Sequence, residues 1–269
     1  VPGSSRDREG DRGGRGGGAP RPRKGDRDGD RQRTPAPALD DEFVHTDLDK
    51  DVRAELRSLP KDVAERVGRH LVATRELVDS DPVTALEHAK YAKSIASRIA
   101  VVREAVGLAA YHAGEWSRAL SELRAVRRMS RTDMHLPVIA DAERANGRPE
   151  RALEILRETD LGSLPAEVAV ELRIVAAGAR LDLGQPDAAV IALQGADLDP
   201  QRRDPWSGRL FYAYADNLLA AGRSDEALQW FLHAAEADTE SDTDAAERAS
   251  DLAAELAGTE GQGTVEDRA

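Results

Sequence analysis

Five helix-breaking positions, Ser80, Gly114, Gly147, Gly184 and Gly222, recur at separations of 34, 33, 37 and 38 residues. This recurrence limits what the chain can fold into more than any other feature. Five residues after each break stands an alanine: Ala85, Ala119, Ala152, Ala189 and Ala227. Each alanine is followed by Leu86, Leu120, Leu153, Val190 or Leu228, and four residues beyond it lies Ala89, Leu123, Leu156, Leu193 or Phe231. Three linked positions held in register over five copies are hard to obtain by chance, even in an alanine-rich chain.

Residues 103–127 give the clearest copy. Val106, Ala109 and Ala110 share one helical stripe, and Ala119, Leu120, Leu123 and Val126 share another after Gly114. Glycine accepts the left-handed conformation that ends helices, so the pattern predicts two helices folded back at residue 114. A small residue early in the second helix allows close approach, and the Leu/Val row beside it fills the gap. One such hairpin cannot bury its apolar stripe alone, so neighbours must stack on it. The expected class is all-α, a solenoid of helix-turn-helix repeats.

Two further signals frame the array. The phrase at residues 58–64, SLPKDVA, returns at 163–169 as SLPAEVA, a second mark of internal duplication. Residues 46–59 predict a short amphipathic helix with Thr46 and Asp49 as a capping pair and Leu48, Val52, Leu56 and Leu59 inward. Pro60 suits the first turn of the helix that follows. The join near residues 97–100 carries weak signals: a turn between units is one reading and a continuous long helix the other. Residues 132–137 and 200–205 are clear interruptions, and residues 239–243 form a polar break. A last helix is expected over residues 244–257, with Ala245, Ala249, Leu252 and Leu256 inward and Gly258 at its end.

Composition divides the chain. Residues 1–42 are rich in Gly, Arg, Asp and Pro, contain no aromatic residue, and are expected to be a disordered arm. Residues 43–258 are expected to hold the helical domain, and residues 259–269 a disordered tail. Residues 1–40 carry ten Lys/Arg against seven Asp/Glu, so of the whole chain's 38 and 50 the remainder keeps 28 and 43, a net −15. Such an acidic body argues against a duplex-DNA footprint, which needs clustered cations. Residues 11–18, DRGGRGGG, resemble an RGG box. Acids alternate with the arginines there and stacking aromatics are missing, so a solubilising tail is favoured over an RNA contact.

The chemistry-bearing residues are sparse. With no cysteine, disulfides and thiolate sites are excluded. The six histidines, His45, His70, His88, His112, His135 and His233, show no metal-ligand spacing. No nucleophile elbow, zinc-protease motif or phosphate-binding loop occurs. The expectation is a protein without catalytic residues, metal or cofactor. No apolar run reaches membrane-spanning length and no signal segment is seen, so a cytoplasmic location without membrane attachment is expected.

The repeat units resemble tetratricopeptide repeats, on Val106-Gly107, Tyr111, Gly114, Trp116 and Ala119 in the second unit and Phe231 with Ala234 in the fifth. The resemblance covers residues 63–238, although the bulky residue early in each first helix is often absent. The chain with its arm is also similar to actinobacterial tetratricopeptide proteins carrying an Arg/Gly-rich arm. The resemblance implies a right-handed superhelical solenoid whose concave groove is lined by the first helix of each hairpin. Projected onto it, the groove holds Glu104, Tyr111, His112, Asp141, Arg144, Tyr212 and Asp216, together with His70, Thr74, Leu108 and Ile174. It implies a non-catalytic scaffold or adaptor for a protein or peptide, and the acids Glu104, Asp141 and Asp216 would favour a basic partner. The tyrosines serve equally as packing residues between repeats. The alternative is an RNA- or ribosome-associated factor tethered through the arm, and a third reading is a self-assembling scaffold.

Overall fold

A computed structural model describes the backbone of residues 35–266 and the side chains as far as residue 258. The description contains twelve α-helices and no strand. The described residues from 36 onward form one unit. A 3-10 turn, His45–Asp47, precedes α1 (Lys50–Leu56). Five hairpins follow: α2 (Lys61–Leu77) with α3 (Pro82–Ala96), α4 (Ala100–His112) with α5 (Trp116–Ser130), α6 (Leu136–Ala145) with α7 (Pro149–Glu158), α8 (Ala166–Asp182) with α9 (Pro186–Leu193), and α10 (Ser207–Ala220) with α11 (Ser224–Ala237). The last element is α12 (Ala245–Glu266). From α2 onward each helix packs against its successor, and α2 with α4, α6 with α8, and α8 with α10 touch across one step.

The turns explain why the hairpins form where they do. Gly114, Gly147, Gly184 and Gly222 have φ of 73°, 74°, 69° and 74°. In each the following residue's N–H reaches back over the glycine to a carbonyl five residues earlier, as in Glu115 to Ala110 at 2.8 Å and Arg148 to Glu143 at 2.9 Å. These are Schellman closures, which satisfy helix-end carbonyls and fix the reversal angle. The first hairpin turns differently. Ser80 is not left-handed; Asp81 instead caps α3, its carboxylate accepting from Thr84 N at 3.1 Å.

Ala85, Ala119, Ala152, Ala189 and Ala227 are all fully buried, and the row four residues on is buried except at the half-buried Leu156. The duplicated phrase adopts one conformation twice. Pro60 and Pro165 precede helices of equal length, 17 residues, with φ, ψ of −53°, 145° and −54°, 142°. The wider later spacings reflect the long α8 and the segment 194–206, which Arg202 pins by hydrogen bonds to Asp197 at 3.1 Å and Asp204 at 2.5 Å.

The turn expected near residues 97–100 is present, so α3 and α4 are separate and the alternative of a continuous helix does not occur. Other boundaries differ from expectation. Asp49, not Thr46, stands at the N-cap of α1, because residues 45–47 wind into a 3-10 turn seated on α2. Ahead of it, Leu39 packs on the first core cluster, and Arg69 donates to the carbonyls of Phe43 at 2.8 Å and Asp40 at 2.9 Å. Packed chain therefore begins a few residues before the composition change at 42, while residues 1–34 of the arm lie outside the described residues. Helix α12 continues through Gly258 to Glu266, beyond the end expected from that glycine. Glycines at 258, 261 and 263 each weaken this helix by about 1 kcal/mol without interrupting it, and no proline lies among residues 245–266 to stop it.

Candidate interaction surface

The first helices α4, α6, α8 and α10 carry polar side chains that meet across the gaps between hairpins. Tyr111 on α4 donates to Asp141 on α6. The other oxygen of Asp141 accepts from Arg144, one turn on, at 2.8 Å, and Arg144 Nε continues to Asp182 on α8 at 2.6 Å. Arg144 fits because residue 178 is glycine: a Cβ there would come within 2.8 Å of the guanidinium. Next along, Arg209 on α10 grips Glu171 on α8 through two hydrogen bonds of 2.7 and 2.8 Å. At the end Arg248 of α12 donates to Asp216 at 2.7 Å and to the Tyr212 hydroxyl at 3.2 Å, and its guanidinium stands 4.9 Å from the Phe231 ring centre.

Of the residues expected in a groove, Tyr111, Asp141 and Arg144 therefore form one group, and Tyr212 with Asp216 another. Glu104 Oε1 stands 3.2 Å from His135 Nε2, and His112 Nδ1 stands 3.5 Å from Asp79. Burial, followed by the hydrogen bond to Asp141, holds the Tyr111 phenol far above its ordinary value. Burial and then Asp244 and Asp216 push Tyr212 up to about 12. Both phenols stay protonated as donors throughout the ordinary pH range. Glu104, Asp141 and Asp216 are each engaged by a side chain of this same chain, which weakens the case for a strongly acidic groove.

His70 and Thr74 are not groove residues. His70 is 1 % exposed, with its Nδ1 2.9 Å from Nδ1 of His88, which is 2 % exposed. Thr74 Oγ1 donates to the carbonyl of His70 at 2.8 Å. Both face α3 inside the first hairpin, because at residues 70–74 the inward stripe of α2 runs through polar positions. Leu108 and Ile174 are half-buried and pack on core clusters.

Sequence reasoning missed the partners Asp182, Glu171, Arg209 and Arg248. One signal was available. Leu108, Asp141, Gly178 and Asp216 each lie six residues before a turn glycine, so the glycine at 178 marked room for a side chain from the preceding hairpin's first helix. It also missed two buried carboxylates at hairpin seams. Glu122 on α5, 5 % exposed, joins Lys93 of α3 and Arg103 of α4, the latter at 2.8 Å. Glu143 on α6, 2 % exposed, lies between Arg124 of α5 and Arg148, whose Nε stands 2.7 Å away.

Among the described residues no cluster of three or more His, Asp or Glu is placed to hold a metal ion, and no helix is long and apolar enough to cross a membrane. What this surface offers chemically is directional hydrogen bonding from paired side chains spaced along successive helices. No protein-family model matches the sequence, and no curated protein is significantly similar to it.

Proposed function

We propose that α2–α11 are five tetratricopeptide-like hairpins wound as a right-handed superhelix, and that the protein is a non-catalytic, cytoplasmic scaffold. Its partner is a protein or peptide laid along the first-helix face. The observation that carries this reading is the line of polar pairs from Tyr111–Asp141 through Arg144–Asp182 and Glu171–Arg209 to Asp216–Arg248. These pairs are partly exposed and hold their side chains in fixed directions. A peptide's amides and side chains can replace them one for one, with little ordering cost. The net −15 of residues 41–269 still favours a basic partner by long-range attraction.

The test is affinity capture from cells of the native organism with the full chain and with two charge reversals, Arg144→Glu and Asp216→Lys. Arg118→Glu on the second-helix side is the control. Loss of the same captured protein in both reversals, with helical content intact, supports the reading. Unchanged capture by folded variants refutes it. RNA crosslinking that disappears on removal of residues 1–42 would favour the alternative of an RNA-associated factor.

A further inference from the structure

Most of the body is acidic, yet one concave place is not. Between the 3-10 turn, α1 and the start of α2 lies a cavity of about 440 Å³. Lys50 and Arg53 line it from α1, Arg57 from the C-cap of that helix and Lys61 from α2, with His45, Leu56 and Ala64 also in the wall and Glu65 the one carboxylate. Lys50, Arg53 and Arg57 fall at i, i+3 and i+7, a single stripe of α1 and its C-cap. Among the described residues the side chains of Lys50, Arg57 and Lys61 have no hydrogen bond or ion pair, which is unusual in a chain with twelve surplus acids. Of the carboxylates on this segment, Glu55 is directed elsewhere, its Oε2 accepting from Val101 N at 3.2 Å at the start of α4, and Glu65 alone lines the cavity. Arg53 is held in place by donating one N–H to the Thr46 carbonyl at 3.0 Å, leaving the rest of its guanidinium available.

We infer that this cavity is a binding site for a compact polyphosphate anion, inorganic or carried by a nucleotide. Four cations against one carboxylate leave the cavity lining with a formal surplus of three positive charges, which an anion of high charge density offsets within a small volume. A phosphate chain carries several charges over a few ångströms, whereas acidic peptides carry about one per residue. Guanidinium groups at Arg53 and Arg57, one helical turn apart, suit bidentate contact with phosphate oxygens, and the lysines supply point charges around them. The size falls in the range of small-ligand sites, roughly 300–1,000 Å³. The site is independent of the first-helix reading above.

Isothermal titration of the full chain with tripolyphosphate, ATP and hexaglutamate tests the inference. Tripolyphosphate is expected to bind saturably at one site, with affinity falling steeply as salt is raised. The Arg57→Glu/Lys61→Glu double variant should weaken it by about tenfold or more. Lys50→Ala/Lys61→Ala, a milder change at exposed positions, should show a smaller loss in the same direction. ATP binding more tightly than tripolyphosphate would point to a nucleotide, and equal binding to the phosphate chain alone. No saturation at millimolar tripolyphosphate would overturn the inference. So would an affinity unchanged by both variants, which would move the anion to another basic segment, or hexaglutamate binding as tightly as tripolyphosphate.

Discussion

Acidification should loosen the first hairpin through the His70–His88 pair. The two Nδ1 atoms lie 2.9 Å apart, so one neutral ring donates and the other accepts. The Tyr91 ring stands tilted with its centre 4.5 Å from that of His70, and Phe43 lies 6.5 Å from His88, closing the site with aromatic rings. Burial first, then the neighbouring His88, Arg69 and Arg66, lower His70 from 6.5 to about 4. Burial also lowers His88, although Glu87 and Asp40 oppose it. A base whose folded value is depressed contributes stability that is complete above its unfolded value of 6.5 and lost as pH falls towards 4. For His70 alone the loss is about 2 kcal/mol at pH 5 and about 3 kcal/mol at pH 4. Urea unfolding followed by circular dichroism at pH 7.5, 6.0 and 5.0 reads this directly, before the depressed carboxylates of Asp81, Glu115 and Glu226 begin to protonate. The comparison is His70→Leu/His88→Leu, which removes donor and acceptor together and leaves no orphaned group. An equal drop between pH 7.5 and 5.0 in the double variant would refute the assignment to this pair.

The close approach of α4 and α5 makes Gly107→Ala unfavourable. A Cβ there would sit 2.6 Å from Cδ2 and 2.7 Å from Cγ of the fully buried Leu123. Overpacking of about 1–3 kcal/mol exceeds the gain of up to about 1 kcal/mol from replacing a helical glycine, so a net loss of about 1–2 kcal/mol is expected in chemical denaturation. At Gly184 nothing lies within 4 Å of such a Cβ, and only its φ of 69° resists substitution. Gly184→Ala should therefore lose about 1 kcal/mol, with Gly184→Asn recovering part of it in thermal melts. Tyr111→Phe removes the donor to Asp141 while Arg144 still holds that carboxylate, so a stability loss of about 1 kcal/mol is expected from urea midpoints.

The turns were legible because their cause is local. A positive φ at residues 114, 147, 184 and 222 selects glycine on the sequence itself, and a fully buried alanine five residues later needs only a small side chain. Ser80 and Gly258 show the limit of that logic: the first reverses the chain without left-handed geometry, and the second does not stop its helix. Cross-helix pairs were harder to read. Arg144 and Asp182 are 38 residues apart, and nothing in helical periodicity says that one reaches the other through the space above Gly178. Glu122 and Glu143 look like solvent-facing acids in sequence and become buried only because two cations arrive from neighbouring helices. The His70–His88 pair was hidden for the same reason, since residues on opposite arms of a hairpin share no period.

Packing in which each helix meets chiefly those beside it in sequence, with smaller contacts to a helix a step or so further on, has a mechanical corollary. No long-range clasp joins the first described helix to the last, so tension on the two ends loads the seams in series. Held in an optical trap, the chain should lengthen in several small rips, one pair of helices at a time. Were it to give way in a single large event, coupling between distant seams would have to be far stronger than neighbour contacts supply.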